Sequence, residues 1–84
     1  MTWTIQYSRE AERDVDALDP VVRRRVLAAI GGLARDPYAS PNVKALHGGN
    51  FRLRVGDWRV IYTLHSGVLV VLVLRVASRG RAYR

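Results

Sequence analysis

Hydrophobic and polar positions alternate in the first residues of the chain and then change period. In the segment TWTIQY, Trp3, Ile5 and Tyr7 fall on one side and polar residues on the other, a pattern typical of a half-buried strand. From Ser8 onward, apolar residues recur every three or four positions instead. The chain is therefore predicted to begin with a strand over residues 2–7 and to continue into helices.

Capping residues mark the starts of two helices. Ser8 precedes a segment whose early turns carry carboxylates, which suit the positive end of a helix dipole. Asp19 and Pro20 mark the second start, with the aspartate as N-cap and the proline at the first helical position. Three consecutive arginines at 23–25 are expected to be solvated or paired with acids of the first helix. Each helix has an apolar stripe that predicts one buried side: Ala11, Val15 and Leu18, then Val22, Val26, Ala29, Ile30 and Leu33.

The second half of the chain returns to β-type patterns. Gly56-Asp57 fits a tight hairpin turn, because glycine stands at the first loop position, and residues 65–67 are predicted to form the next turn. The segment VLVVLVLRV is almost continuously apolar, so its strand is predicted to lie centrally or to be covered on both sides. The predicted strands span about 51–55, 58–64 and 68–76.

The order of elements predicts a single α+β domain over residues 1–84. Residues 36–50 are rich in Pro, Gly, Asn and Asp and are predicted to form a loop. The order is then β-α-α-β-β-β, which predicts a four-stranded, mainly antiparallel sheet with the two N-terminal helices packed on one face.

Arginines are concentrated on one face of the predicted hairpin FRLRVGDWRVIY. Pairing across the Gly56-Asp57 turn places Arg54 opposite Arg59 and Arg52 opposite Ile61. Phe51, Leu53, Val55, Trp58, Val60, Tyr62 and Leu64 then share the face that the helices cover. Opposed like charges destabilise a strand pair by up to about 1 kcal/mol, and no acid in these strands compensates. An anionic ligand explains this arrangement better than folding does.

The charge distribution points the same way. The formal net charge is +7; residues 1–50 hold seven basic and six acidic residues, whereas residues 51–84 hold seven arginines and a single acid, Asp57. Arginine grips phosphate with a planar, two-pronged geometry, so a polyanion partner is favoured over mere solubility. The tail RVASRGRAYR adds Arg79, Arg81 and Tyr83, and an aromatic ring beside arginines suits RNA.

Composition excludes several other classes of protein. The chain has no cysteine, which excludes disulfides and thiolate metal sites. Its longest apolar run, residues 68–74, is far shorter than the roughly 20 residues needed to span a bilayer, and no signal peptide is recognisable. A cytoplasmic protein that uses neither cofactor nor membrane is expected.

The chain resembles the RelE/ParE superfamily of bacterial toxins, and its RelE-type mRNA interferase branch in particular. The resemblance runs nearly end to end and rests on VKALHGG, on FRLRVGDWRVIY with the motif R-x-G-D-[YW]-R-[VI]-[IV]-Y, and on the tail SRGRAYR. It implies the toxin of a type II toxin–antitoxin system, a metal-independent endoribonuclease that inhibits translation. Such toxins enter the ribosomal A site and cut mRNA there: the 2′-hydroxyl attacks the adjacent phosphate and leaves a cyclic phosphate.

The resemblance also implies roles for residues and partners. Matching positions make Arg54, Arg59, Arg79 and Tyr83 the catalytic residues, and Lys44, Arg52 and Arg81 contacts to RNA. The implied partners are a cognate antitoxin, the ribosome with its rRNA, and mRNA; operator DNA would be bound only through the antitoxin complex.

The chain departs from the family pattern at two positions. Some active members carry lysine on the strand of Arg52 and Arg54, one of them proposed as a general base, whereas arginine is effectively always protonated. Ser78 stands where His or Lys often precedes the tail arginine. His47 and His65 are expected to be ordinary turn residues. Two alternatives therefore stay open: a ParE-like inhibitor of DNA gyrase, and a catalytically weak toxin that acts mainly as an antitoxin-binding corepressor.

Overall fold

In the computed structural model, which describes residues 2–38 and 41–78, two helices cover one face of a five-stranded sheet. The predicted α+β class is confirmed, although the sheet has five strands rather than four. The strands follow the order β1-β5-β4-β3-β2 across the sheet. The elements are β1 (Thr4–Tyr7), α1 (Arg9–Asp16), α2 (Pro20–Gly32), β2 (Val43–Ala45), a 3₁₀ turn (His47–Gly49), β3 (Asn50–Val55), β4 (Trp58–His65) and β5 (Val70–Ser78).

Both helices begin at the capping residues that the sequence indicates. The Ser8 hydroxyl accepts a hydrogen bond from the backbone N–H of Ala11 at 3.0 Å, and an Asp19 carboxylate oxygen accepts one from Val22 at 3.4 Å. Each cap satisfies a donor that the first turn of a helix would leave unpaired. No helix in the described ranges is long and apolar enough to cross a membrane.

The core lies between the helices and the face of the sheet that the alternation predicts. Ala11, Val26 and Ile30 are fully buried on the helix side. All seven apolar residues predicted for the covered face of the hairpin belong to this core or pack against it. The sheet residues that are most buried are Leu53, Val60, Tyr62, Val71, Val73 and Val76.

The strand pairing confirms the predicted hairpin register and the central last strand. Arg54 lies opposite Arg59 and Arg52 opposite Ile61. The turn between β3 and β4 needs a positive φ only at Gly56 (60°), as in a hairpin turn with glycine at its first position. β5 pairs with β4 on one side and with β1, in parallel, on the other, which explains its nearly continuous apolar sequence.

Two local predictions were wrong. The predicted loop over 36–50 contains β2 and the 3₁₀ turn, because the edge of β3 offers backbone partners that no local pattern reveals; the N–H of Arg54, for example, donates to Asn42. The β4–β5 connection comprises residues 66–69 rather than 65–67, since His65 still pairs with Val70.

Candidate functional site

The helix-free face of the sheet gathers four basic side chains. We call this surface the basic face and define it by Lys44, Arg52, Arg54 and Arg59. Lys44 lies opposite Arg52 in the β2–β3 pair, and Arg54 lies opposite Arg59 in the β3–β4 pair. Neighbouring strands are about 4.8 Å apart and alternate residues about 6.7 Å apart. The four Cα atoms therefore lie within a patch roughly 10 Å by 7 Å, which matches one or two phosphates of a nucleic acid strand.

Two of these arginines each have one buried nitrogen with no hydrogen-bond partner among the described residues. Arg59 is only 8% exposed, and its NH1 atom has no hydrogen-bond partner. The Nε atom of Arg52 is likewise buried and unpartnered. Arg54 is exposed and donates a long hydrogen bond of 3.4 Å to the carbonyl of Gly56. Among the described residues, no carboxylate lies within 4.0 Å of these three guanidinium groups.

Such an arrangement is costly unless something binds to it. A buried donor left unpaired costs about 1–3 kcal/mol, and like charges opposed across a strand pair add to that cost. The fold therefore holds Arg59 and Arg52 partly desolvated, with unpartnered donors and no counter-ion among the described residues. An anion that accepts hydrogen bonds from several directions, such as a phosphodiester, would satisfy these donors and cancel the repulsion.

The described neighbours of Arg59 on the same face are small or apolar. On β5 the residue opposite Arg59 is Ala77, whose side chain is a single methyl group. Ile61, two residues further along β4, lies on the same face and is 7% exposed. Two clefts lined by described residues lie on the helix side around Trp58, with volumes of about 420 and 280 Å³. The basic side chains lie on two adjoining strand pairs, an arrangement that suits an extended strand of nucleic acid.

Neither histidine belongs to the basic face. His65 is the last residue of β4, six positions from Arg59 and therefore about 20 Å along the strand. His47 lies in the 3₁₀ turn and is exposed. As a result, the described part of the basic face holds no imidazole that could act as a general base.

The structure places some of the expected site residues and not others. Lys44, Arg52, Arg54 and Arg59 are brought together, and Lys44 stands on a strand rather than in the loop expected for it. Arg79, Arg81 and Tyr83 lie outside the described residues. The burial of Arg59 is the functional signal that sequence reasoning missed, since alternation alone predicts an exposed side chain there.

Comparison with known proteins relates the chain to bacterial toxins. A family model described as the ParE toxin of the type II toxin–antitoxin system parDE matches residues 5–83. Toxin RelG of Mycobacterium tuberculosis is 33% identical to this chain over an aligned length of 91 residues. The alignment covers 100% of this chain and 99% of that protein.

Solved structures agree with this relationship. The toxin–antitoxin complex RelBE2 of Mycobacterium tuberculosis contains a chain of 30% identity that superposes with a TM-score of 0.82, covering 94% of this chain and 100% of that one. An archaeal RelE–RelB complex from Pyrococcus horikoshii gives 26% identity and a TM-score of 0.79, with 98% and 100% covered. The isolated RelE toxin of E. coli shares the fold at 16% identity, with a TM-score of 0.80 and coverage of 95% and 87%.

Proposed function

This chain belongs to the RelE/ParE superfamily of type II toxin–antitoxin toxins, and we propose that it is a ribosome-dependent endoribonuclease that cuts mRNA in the A site. The observation that carries this proposal is Arg59, which is buried, lacks a partner for NH1 and faces a second arginine on an uncovered sheet. Unpaired arginine donors held in place by the fold would stabilise the negative charge that develops on a phosphate in the transition state. The cytoplasm, where the ribosomes are, is the proposed location.

The proposed chemistry is attack of the 2′-hydroxyl on the adjacent phosphate. The new 2′-oxygen–phosphorus bond forms as the bond to the 5′-oxygen breaks, leaving a 2′,3′-cyclic phosphate and a 5′-hydroxyl. Arg54 and Arg59 would stabilise the additional negative charge on the phosphorane-like transition state. Lys44 and Arg52 would hold neighbouring phosphates of the backbone.

Three residues of the tail complete the proposal. Arg79 would stabilise the leaving 5′-oxygen or assist its protonation, Arg81 would bind RNA, and Tyr83 would stack on a base. Since the described part of the basic face holds no imidazole, the ribosome would orient the 2′-hydroxyl, and orientation alone is worth about 7 kcal/mol or more. Free RNA is accordingly expected to be a poor substrate.

The partners follow from the same assignment. A cognate antitoxin would bind and silence the toxin, as the complexes of similar chains indicate. Expression of the chain alone in bacteria is expected to arrest growth, and co-expression of the neighbouring antitoxin gene should restore it. A chain that is harmless at high expression would remove most support for the toxin assignment.

The second candidate function is inhibition of DNA gyrase. The matching family model favours this candidate, because its description is that of the ParE toxin. The two candidates make opposite predictions: a gyrase inhibitor blocks supercoiling by purified gyrase and leaves ribosome-bound mRNA intact. A chain that does neither but binds its antitoxin tightly would be the corepressor.

The decisive experiment is single-turnover cleavage of mRNA on programmed ribosomes. Arg59→Ala is expected to lower the rate about a hundredfold with ribosome binding nearly intact, because a preorganised donor to a developing oxyanion is worth about 3 kcal/mol. Arg24→Ala, which removes an exposed arginine of α2, is the matched control and should keep the wild-type rate. Full activity of Arg59→Ala would refute the basic face as the active site.

The pH dependence of the same reaction tests the missing base. With no imidazole beside the arginines, the rate should show no inflection near pH 6.5, the range in which an ordinary histidine titrates. An inflection there that disappears in His47→Ala would identify a base and contradict the proposed chemistry.

A further inference from the structure

Two arginines approach the tip of the β3–β4 hairpin from opposite sides of the sheet. Arg54, on the basic face, donates a hydrogen bond of 3.4 Å to the carbonyl of Gly56. Arg25 of α2 approaches the same residue from the helix side, since a methyl group added at Gly56 would lie 3.7 Å from its Nη2 atom. The positive charge of the basic face therefore continues around the hairpin tip to the helix side.

The charged groups at this tip have no partners within the described chain. Arg25 is exposed and forms no hydrogen bond or ion pair among the described residues, unlike its neighbour Arg23, which binds backbone carbonyls of the helix side. Asp57, which follows Gly56 in the turn, is also exposed and has no ion pair with a described residue. A cation and a carboxylate thus flank the tip, and neither neutralises the other by direct contact.

These two side chains line a cleft whose walls are apolar. We call it the tip cleft; its volume is about 280 Å³. The walls are formed by Val22, Val26, Val55 and the ring of Trp58, and the polar lining by Arg25 and Asp57. The volume lies just below the range of about 300–1,000 Å³ typical of sites for drug-sized ligands, so the cleft suits a single flat ring system. Trp58 is half-buried, and an aromatic ring beside an arginine is a surface on which unpaired bases stack.

From these features we propose that the tip cleft binds one unpaired guanine of the mRNA, beside the phosphates that the basic face holds. Arg25 holds the phosphate of this nucleotide, Trp58 stacks on the base, and Asp57 accepts its hydrogen bonds. A nucleotide is the class of ligand that combines an anion, a flat ring and N–H donors, and the cleft presents a partner for each. The inference rests on the proposed function, which supplies the RNA strand and its cleavage.

The carboxylate of Asp57 selects among the bases. An ionised carboxylate only accepts hydrogen bonds, and it has two oxygens side by side. The Watson–Crick edge of guanine carries two adjacent donors, N1–H and the N2 amino group, which match these oxygens. Adenine and cytosine place an acceptor beside their amino group, and uracil has acceptors on both sides of its single donor. Guanine is therefore the base that Asp57 binds without a repulsive contact.

The strand that supplies this base is the one that lies on the basic face. Arg54 and Arg25 both lie beside Gly56, and the turn between β3 and β4 comprises only two residues. A strand with a phosphate at Arg54 and Arg59 therefore reaches Arg25 by passing around the hairpin tip. The guanine is consequently close to the scissile phosphate, and the rate of cleavage depends on the sequence beside the cut.

Binding of a non-cleavable RNA tests the cleft without the ribosome. The probe is a tetranucleotide of 2′-O-methyl uridines with one guanosine, compared with the same tetranucleotide carrying adenosine. The readout is the fluorescence of Trp58 in a Trp3→Phe background, since the chain has two tryptophans. The guanine probe should quench this fluorescence and bind about tenfold more tightly than the adenine probe, as expected for a two-pronged contact to a base. Asp57→Asn should reduce the preference to less than about twofold, and Gly-Asn suits a hairpin turn, so the fold is kept.

The arginine run and the cleavage reaction provide two further measurements. Arg25→Ala should weaken binding of both probes severalfold at low salt, because it removes a phosphate contact. Arg24→Ala removes the same charge from an exposed residue outside the cleft, and its affinity should change less than about twofold. On programmed ribosomes, mRNA with guanine within two nucleotides of the cut should be cleaved about tenfold faster than mRNA with adenine there, and Asp57→Asn should remove the difference.

The outcomes separate this inference from the proposed function. If the wild type cuts ribosome-bound mRNA but neither probe changes the fluorescence of Trp58, or Asp57→Asn keeps the guanine preference, the tip cleft is not a guanine site and the proposed function stands. Guanine-selective binding without any dependence of cleavage on the neighbouring sequence would overturn the assignment to mRNA and indicate a base of ribosomal RNA instead. Guanine-selective binding by a chain that leaves mRNA intact would support the cleft and refute the proposed endoribonuclease.

Discussion

Arg54 and Arg59 face each other across the β3–β4 pair, and no carboxylate of the described residues lies within 4.0 Å of either group. Arg54→Thr removes this repulsion and introduces a residue that favours strands. We expect it to raise the free energy of unfolding by about 0.5–1 kcal/mol, as measured by urea denaturation, and to lower mRNA cleavage strongly. A loss of stability would mean that the arginines support the fold, contrary to the functional interpretation.

The side chain of Tyr62 joins the core to the backbone of the segment that follows α2. Its ring is fully buried and its hydroxyl donates a 2.6 Å hydrogen bond to the carbonyl of Pro37. The ring also stacks on Phe51 at a centroid distance of 5.5 Å. Burial, reinforced by the nearby Asp36 and Tyr38, raises the pKa of Tyr62 from 10.0 to about 12. The neutral phenol is therefore the form that the fold stabilises.

This shift predicts a loss of stability in alkaline solution. The stabilisation is fully present below pH 10, the pKa of an unfolded tyrosine, and is lost as pH rises toward 12. Tyr62→Phe should lose less stability over this interval, although at neutral pH it forfeits about 1 kcal/mol for the hydrogen bond. Unfolding by urea at pH 8 and pH 11 measures both effects. Equal pH dependence of mutant and wild type would contradict this prediction.

At the scale of the elements, Arg23 joins the two helices. Its guanidinium donates hydrogen bonds to the carbonyls of Val15, Asp16 and Leu18, at 3.0, 2.8 and 2.9 Å. These carbonyls lie at the C-terminal end of α1, where backbone acceptors have no helical partner and the dipole favours a cation. The expectation that all three consecutive arginines are merely solvated or paired with acids was therefore wrong for Arg23.

Arg24 provides the control for a mutational test of Arg23. Arg23→Ala should lower the free energy of unfolding by about 1.5 kcal/mol, the range for hydrogen bonds that involve a charged group. The neighbouring Arg24→Ala removes an exposed side chain and should change it by less than about 0.5 kcal/mol. Thermal or urea unfolding of the two variants measures both changes. Equal losses of stability would mean that the hydrogen bonds from Arg23 to the three carbonyls do not stabilise the fold.

α1 also completes the sheet where β1 ends. Beyond Tyr7 no strand among the described residues pairs with this edge of β5, and the ladder with β4 is irregular after Ile61. The hydroxyl of Ser8 donates to the carbonyl of Leu74 at 2.8 Å, and Asp14 accepts from the N–H of Val76 at 2.8 Å while pairing with Arg75. The side chains of Ser8 and Asp14 thus pair with backbone groups of β5 that a neighbouring strand would otherwise pair with.

For the whole molecule, the cluster of basic side chains on one sheet face predicts how the chain binds its targets. Phosphate contacts on the basic face release counter-ions, so ribosome affinity should fall as salt rises. Arg52→Ala should weaken binding and reduce the slope of log K against log salt by about 0.7, the value for one contact to a single strand. Arg24→Ala changes net charge equally but on the helix side and should keep the slope. Equal slopes for all three proteins would exclude Arg52 as a phosphate contact.

The sequence by itself determined the features that depend on nearest neighbours along the chain. Alternation and the glycine of the β3–β4 turn specify the hairpin register, and with it which residues share a face with Arg54 and Arg59. Caps and apolar stripes specify where α1 and α2 begin and which side they bury. These signals are local, since each arises from backbone geometry and side-chain spacing over a few residues.

Only the tertiary structure decided what depends on residues distant in sequence. β2 exists because β3 offers an edge, and Arg23 binds carbonyls because α2 turns back beside the end of α1. The burial of Arg59 likewise depends on the strands on either side of β4. Packing sets these features through contacts between segments tens of residues apart, and periodicity within one segment carries no information about them.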